Sequence, residues 1–482
     1  MSTPGRPKGE YRSAQHKGTP LSHHRTQCAD AQPADLQDPR RRGLLKALLA
    51  GAAAPWVAPL QALAQSTGGT DYKALVCVFL YGGNDANNLI VPLEATQFGL
   101  YQRARSNLAL PQASLLPITP TNTGSARYGL HPAMTGVQGL FEAGQAAVVA
   151  NVGPLRAPTT KAQYQARSVP LPSGLFSHSD QQAAWQSSVS DSLGRSGWGG
   201  RLTERLVAAG TNNRGYAALS VTGGNLWQTG EQGLVPYKVG ASGDFGFDFY
   251  DPASSDALST AIAATLAEPR SHLFQQAWLD AMSRSIEVQR VLSSALSGTS
   301  LTTVFPNTGL GDQLQMIARL IAARGSLGLS RQVFFASLGG FDTHGDDQLQ
   351  RQQALFTELS AAITAFHAAT VELGLGQQVT LFTGSDFGRT LASNGQGSDH
   401  GWGGHQLVVG GGVAGRRIAG RFPDLTLDGP DDVGSGRWIP TTSVEQMAAD
   451  LGAWLGASEA QLASVFPNLS AFNRTLGLMG PA

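Results

Sequence analysis

Cysteine is nearly absent: the 482-residue chain has two. Cys28 falls in a polar N-terminal stretch and Cys77 in the apolar run Ala74 to Tyr81, so Cys77 reads as an inert core thiol and no internal disulfide is expected in the folded part. Charge is also scarce, at 14% of residues with 34 basic and 34 acidic side chains, against 41% hydrophobic residues. That balance describes an ordered globular chain, not a disordered one. It lacks the basic surplus of a nucleic-acid binder. Beyond residue 64 no apolar run reaches the roughly 20 residues of a membrane-spanning helix. What the chain has in excess is glycine, 59 residues, which points to many tight turns.

Residues 1–39 are polar and are set aside from the fold. Arg40-Arg41-Arg42-Gly43-Leu44-Leu45-Lys46 and the Ala/Leu-rich segment to Leu63 resemble a twin-arginine (Tat) export signal, with Ala62-Leu63-Ala64 as its cleavage site. A retained anchoring helix is the lesser reading, because Pro55 and Pro59 interrupt a short and mildly apolar run. Removing residues 1–64 takes nine of the 34 basic and four of the 34 acidic side chains, leaving a net charge of −5. The expected location is therefore periplasmic or secreted, with the Tat translocase as a partner during export.

Residues 65–482 are expected to form one domain. Ala74–Tyr81, Ala146–Val152, Tyr216–Val221, Arg331–Leu338, Gln378–Thr383 and Gln406–Val409 read as buried strands. Helical patterns lie between them, at His131–Ala143, Ala257–Ser297, Asp312–Arg324, Gln348–Leu373 and Thr442–Leu455. This alternation predicts an α/β fold: a largely parallel sheet flanked by helices on both faces, with loop and helical insertions. A cap or insertion is expected around 222–325. Ser168–Gly200, rich in Ser, Gly and Pro, reads as a functional loop.

Three strands end in glycine and a carboxylate: Asp85 in Gly82-Gly83-Asn84-Asp85, Asp342 in Gly339-Gly340-Phe341-Asp342-Thr343-His344, and Asp386 in Gly384-Ser385-Asp386. A single Asp after a strand is usually a turn residue. Three such ends point to a site at the carboxyl edge of the sheet, where open α/β sheets hold ligands. Of the seven histidines outside residues 1–64, His344, His400 and His405 fall in or just after these segments. His and Asp donors without cysteine suit zinc, manganese or another divalent cation, which polarises a phosphoryl or sulfuryl oxygen. For each histidine alone, a hydrogen-bonded loop residue is the plainer reading.

Gly82-Gly83-Asn84-Asp85, Ser177-His178, Gly339 to His344, Ser385-Asp386-Phe387-Gly388-Arg389-Thr390 and Asp399-His400-Gly401 occur in an order that resembles the Tat-exported domain-of-unknown-function family 1501. That family is similar to sulfatases of the alkaline phosphatase superfamily, and the likeness covers residues 72–480. It implies a sulfatase-like α/β fold and an exported metal-dependent hydrolase of phosphate or sulfate esters. One metal would take Asp342, His344 and His400, with His405 nearby. A second would take Asp85 and Asp386. Ser177 would be the nucleophile, with His178 and Ser179 as rivals, and Arg389 would hold a substrate oxyanion. Asn84 and Asn87 would contact a small ester or surface-glycan substrate. A co-encoded family-1800 domain protein is a further implied partner.

Phe387 stands where the superfamily often has histidine, and no Cys-x-Pro-x-Arg segment accompanies Ser177, so formylglycine chemistry is not expected. The alternative is a secreted binding or assembly protein on the same fold, with one metal or none. Two motifs are chance matches. Gly410-x-Gly412-x-x-Gly415 follows a strand, but Gly420 and Pro423 deny it the helix that a dinucleotide site requires. Asp386-Phe387-Gly388 lacks every other kinase segment.

Overall fold

The computed structural model describes residues 71–190, 194–210, 215–243, 250–473 and 475–480. The export-signal segment, residues 1–64, lies outside them.

Among the described residues, nine strands form the main sheet. They are β1 (Lys73–Leu80), β2 (Ala146–Gly153), β3 (Ala218–Ser220), β4 (Tyr237–Lys238), β5 (Arg331–Leu338), β6 (Val379–Ser385), β7 (Gly404–Val409), β8 (Ile418–Ala419) and β9 (Thr442–Ser443). Their spatial order is β8-β2-β7-β6-β1-β5-β3-β4, with β9 also on β2. All pairings are parallel except those of β7, which runs antiparallel to β2 and β6. A separate antiparallel sheet joins Ile90–Pro92, Tyr128–Leu130 and Leu116–Ile118.

The principal helices are α1 (His178–Ser187), α2 (Trp198–Ala208), α3 (Ala257–Ala267), α4 (Leu273–Ser297), α5 (Gly309–Ala322), α6 (Gln348–Glu372) and α7 (Val444–Leu455). They cover both faces, because the central strands are apolar on both. Ala74, Val76, Val78 and Leu80 of β1 enter one core with Leu314 and Ile317 of α5 and Leu359 and Ile363 of α6. Leu75, Cys77 and Phe79 enter the other, with Trp185 of α1, Leu202 of α2 and Met447 of α7. Alternation along a strand makes this division automatic. Cys77 is buried and unpaired. Among the described residues one helix, α6, is long and apolar enough to cross a membrane. Its Phe356, Leu359, Ile363 and Phe366 lie in the core.

Two local readings are corrected. The Ser168–Gly200 segment is not a loop throughout: α1 and the start of α2 lie within it. Its Ser, Gly and Pro residues cluster at 168–177 and 188–197, leaving His178–Ser187 free to wind. The helix expected from His131 begins at Thr135, because His131 Nδ1 accepts the Ala133 amide and holds a turn there. Within 222–325, α5 belongs to the body, with Leu314, Ile317 and Ile321 in the core. α3 has one buried residue, Ser259.

β1 lies between β5 and β6, and Leu80 is in register with Leu338 on one side and Ser385 on the other. The three carboxyl ends therefore emerge side by side. The reversed β7 begins at this same edge and brings the turn carrying His400 to it. Gly82 has φ +113, and a Cβ there would run into the Asp342 backbone nitrogen. Only glycine permits that approach.

Candidate metal centre

Asp386 follows β6 directly and is fully buried. Its carboxylate accepts the Gly82 amide at 3.2 and 3.3 Å and the Gln182 side-chain amide at 2.9 Å. Its third partner is His178 Nδ1, at 2.6 Å. His178 is the first residue of α1, which is anchored by Trp185 packing on Phe79 and Phe382, with ring centroids 6.0 and 6.4 Å apart. Trp185 also rests on Gly384, where any side chain would strike its ring.

His400 is oriented from behind in the same manner. Its Nδ1 lies 2.7 Å from the Phe176 carbonyl, and a carbonyl can only accept, so Nδ1 carries the proton. Phe176 has φ +70, a left-handed conformation unusual for a residue with a side chain. His344 is the third imidazole, with Nδ1 3.4 Å from Asp399 Oδ1. Asp399 is itself held by the Asn394 amide at 3.0 Å.

With each Nδ1 proton directed to an oxygen, each Nε2 carries a lone pair, and that of His344 accepts Arg389 Nη1 at 3.2 Å. These nitrogens converge on Asp342 Oδ1: His344 Nε2 at 3.0 Å, and His178 and His400 Nε2 at 3.5 Å each. His344 and His400 Nε2 are 3.0 Å apart. His178 Nε2 is buried and has no hydrogen-bond partner. Lone pairs and a carboxylate brought this close repel one another unless positive charge lies among them. His178, Asp342 and His400 present donor atoms all within 4.8 Å of one another, with His344 beside them. Zinc bound tetrahedrally at about 2.0–2.1 Å sets its ligands about 3.3–3.4 Å apart, and the separations from Asp342 Oδ1 bracket that spacing. The residues fit a small divalent cation.

Arg389 supplies charge from the protein side. The guanidinium is buried and pairs with Asp342, and it donates to Gly82 O (2.7 Å), Gly83 O (3.0 Å), Phe341 O (3.2 Å) and Ser398 O (2.9 Å). Its donors thus tie together the turns after β1 and β5 and the loop before His400. Partial burial pushes the Asp342 carboxyl up, but the hydrogen bond and charge of Arg389 outweigh this and hold it below the usual carboxylate range. Burial lowers His400, against the opposing effect of its hydrogen bond to the Phe176 carbonyl, and the Arg389 charge adds to the lowering. The amide of Asn394 keeps the Asp399 carboxyl low.

The other sequence-derived positions are not among these converging donor atoms. Asp85 is buried in an ion pair with Arg105 and accepts Gln348 Nε2 at 2.6 Å. It makes no contact with the three imidazoles among the described interactions. His405 lies within β7, stacked on Phe422 at 4.4 Å. Its Nδ1 accepts the Asn151 amide, and burial pushes its pKa down to about 3. Asn87 bridges Arg389 O and the Trp438 indole at 2.9 Å each. Asn84 is buried with neither side-chain polar atom partnered, and its backbone amide donates to Ser385 Oγ. Ser177 occupies the N-cap position of α1, its hydroxyl 3.4 Å from that of Ser179.

Sequence reasoning passed over the groups that orient the imidazoles: Gln182, Phe176, Asn394 and Asp399. Gln182 stands four residues after His178, on the same helix face. Asp399 adjoins His400. The Phe176 carbonyl leaves no trace in residue identity.

The carboxyl edge of this α/β sheet thus gathers three histidines around an aspartate. The chain belongs to the family described as "Protein of unknown function (DUF1501)", whose model matches residues 72–464. No curated protein matches it. Among solved structures it is similar to a zinc complex of the C-terminal periplasmic domain of EcEptC from Escherichia coli, at 9% identity, covering 71% of this chain and 74% of that one, with a TM-score of 0.31. It is also similar to the PsFucS1 sulfatase from Pseudoalteromonas sp., at 10% identity over 88% and 73%, TM-score 0.33. A third is the lipoteichoic acid synthase LtaP from Listeria monocytogenes, at 8% identity over 87% and 80%, TM-score 0.31.

Proposed function

We propose that the protein is an exported hydrolase of phosphate or sulfate esters that depends on a divalent metal, zinc or manganese, held by His178, Asp342 and His400. The observation that carries this reading is the orientation of the imidazoles: an oxygen holds each Nδ1 proton and every Nε2 faces one carboxylate oxygen. Metal-binding histidines are held this way, with the back nitrogen donating to a carboxylate or carbonyl. Export rests on the Arg40 to Ala64 segment alone.

When bound, the cation would polarise an ester oxygen and lower the pKa of a bound water. The chain's own groups prepare for this. Asp386 and the Phe176 carbonyl fix His178 and His400, and Arg389 fixes Asp342. His344 is half exposed, its back nitrogen on Asp399. It is placed to take a proton from an incoming hydroxyl and return it to the departing oxygen. Ser177 and Ser179, on the first turn of α1, are the hydroxyls closest in sequence to His178 and remain the proposed nucleophiles. Asp85 and Arg105 neutralise each other, which argues for one metal over two.

A second reading has its own support. Arg389 spends its donors on backbone carbonyls and Asp342, so it has little left for a substrate oxyanion. That favours a metal that organises a secreted binding or assembly protein. The test is metal analysis of the purified protein together with hydrolysis of aryl phosphate and aryl sulfate esters. Bound metal with hydrolysis lost in Asp342→Ala supports the enzyme. Bound metal in a protein inert to both esters supports the second reading, and metal-free inert protein overturns the enzyme and leaves only a binding or assembly role without metal.

A further inference from the structure

Away from the metal centre, α3 and the outer half of α4 form an arm with a face that no other described residue covers. α3 carries no charged residue, yet only Ser259 is buried. An uncharged helix with eight apolar residues in 11 is normally enclosed. α4 is 25 residues long. Its C-terminal part enters the core through Leu292 and Leu296, and Gln276, Leu279, Met282 and Ile286 lie on its more covered side. The outer half presents a second stripe, Phe274, Ala277, Trp278 and Ala281, at the i, i+3, i+4, i+7 spacing of a packing face, and all four are exposed. Phe274 is 77% and Trp278 59% exposed.

The stripe is complementary to itself. If a second copy of α4 lies antiparallel across it, with a two-fold axis between Ala277 and Trp278, Phe274 faces the second copy's Ala281 and Ala277 faces its Trp278. Each large residue then meets a small one, in both directions, as an isologous interface requires. Phe274, Trp278, Leu273 and Leu258, with the exposed alanines of α3, offer on the order of 500 Å² of apolar surface. That is a large share of the roughly 800 Å² each partner contributes to a standard interface. Charge does not favour a lipid surface. Residues 257–297 contain no lysine and balance three arginines with three acids, and Glu268 and Arg270 pair at 2.8 Å. Anionic bilayers select a basic excess.

We propose that this face docks a second copy of the same chain, α4 against α4, to form a two-fold symmetric dimer. Sedimentation equilibrium on the full chain tests it through a size swap. Phe274→Ala alone and Ala281→Phe alone are each expected to weaken dimerisation about tenfold or more. The double variant F274A/A281F restores the large-small pairing and returns the dimer to near wild-type affinity. Circular dichroism confirms that each variant is folded, as expected for exposed positions. The proposal is overturned if the wild-type chain is monomeric at about 100 μM. It is equally overturned if the double variant is no better than the single ones, or if wild type is monomeric and associates only with phosphatidylcholine or anionic vesicles.

Discussion

Asp386→Asn is the substitution that most sharply separates a metal centre from a network of loop histidines. The change keeps the shape of a fully buried side chain and replaces the oxygen pair that faces His178 Nδ1 at 2.6 Å. An amide can still accept through one oxygen, so His178 stays near its place, but the negative charge that makes its Nε2 a strong donor is gone. Loss of such an orienting carboxylate usually weakens metal binding by about 10–100-fold, which corresponds to roughly 1.4–2.7 kcal/mol. Competition against a chromogenic zinc chelator reads this directly, and thermal unfolding of the chelated protein provides the control. The expected result is an affinity reduced within that range and metal still bindable at saturation. Unchanged zinc affinity would refute the reasoning, because Asp386 would then be a backbone brace for Gly82 and nothing more.

Three further outcomes follow from the geometry. His405→Gln leaves metal content unchanged. It also removes a pH dependence: burial depresses the folded-state pKa to about 3 against an ordinary 6.5, so folding favours the neutral ring and wild-type stability is lost as pH falls from 6.5 towards 3. Urea unfolding across that range shows the loss in wild type and its reduction in the variant. Gly82→Ala, at φ +113 and pressed against Asp342, destabilises the fold by roughly 1–3 kcal/mol and loosens metal binding, measured by urea unfolding and chelator competition. Glu445 is driven up to about 8 by burial. Its ionisation therefore opposes folding, and stability falls as pH rises from about 4.5 to 8; Glu445→Gln flattens that fall in the same urea series.

The strand-end carboxylates were legible in the sequence because a buried strand, one or two glycines and an Asp form a local pattern. That Asp342 and Asp386 meet at one edge follows from one topological fact, that β1 lies between β5 and β6 in parallel register. His400 shares this edge for a reason that composition hides: β7 runs antiparallel, so its leading turn starts where the parallel strands end. His178 is the clearest case of distance in sequence. It sits 164 residues before Asp342 and reaches it only because α1 docks Trp185 over Gly384. The fate of Asp85 depended on Arg105, a partner 20 residues away in a helix that carries no motif. His405 looked equivalent to His400 within one glycine-rich turn. Strand β7 begins at Gly404 and draws His405 into the interior, while His400 stays at the rim. Residue type and spacing identified groups able to bind metal, and backbone direction decided which of them meet.

The central claim is that His178, Asp342 and His400 hold one divalent cation. Elemental analysis of protein purified without chelators, wild type beside the double variant H178A/H400A, tests it most directly. About one equivalent of zinc or manganese in wild type and none in the double variant is the predicted result. Equal metal content in the two proteins, or a wild-type protein that takes up neither metal on dialysis against it, would contradict the account.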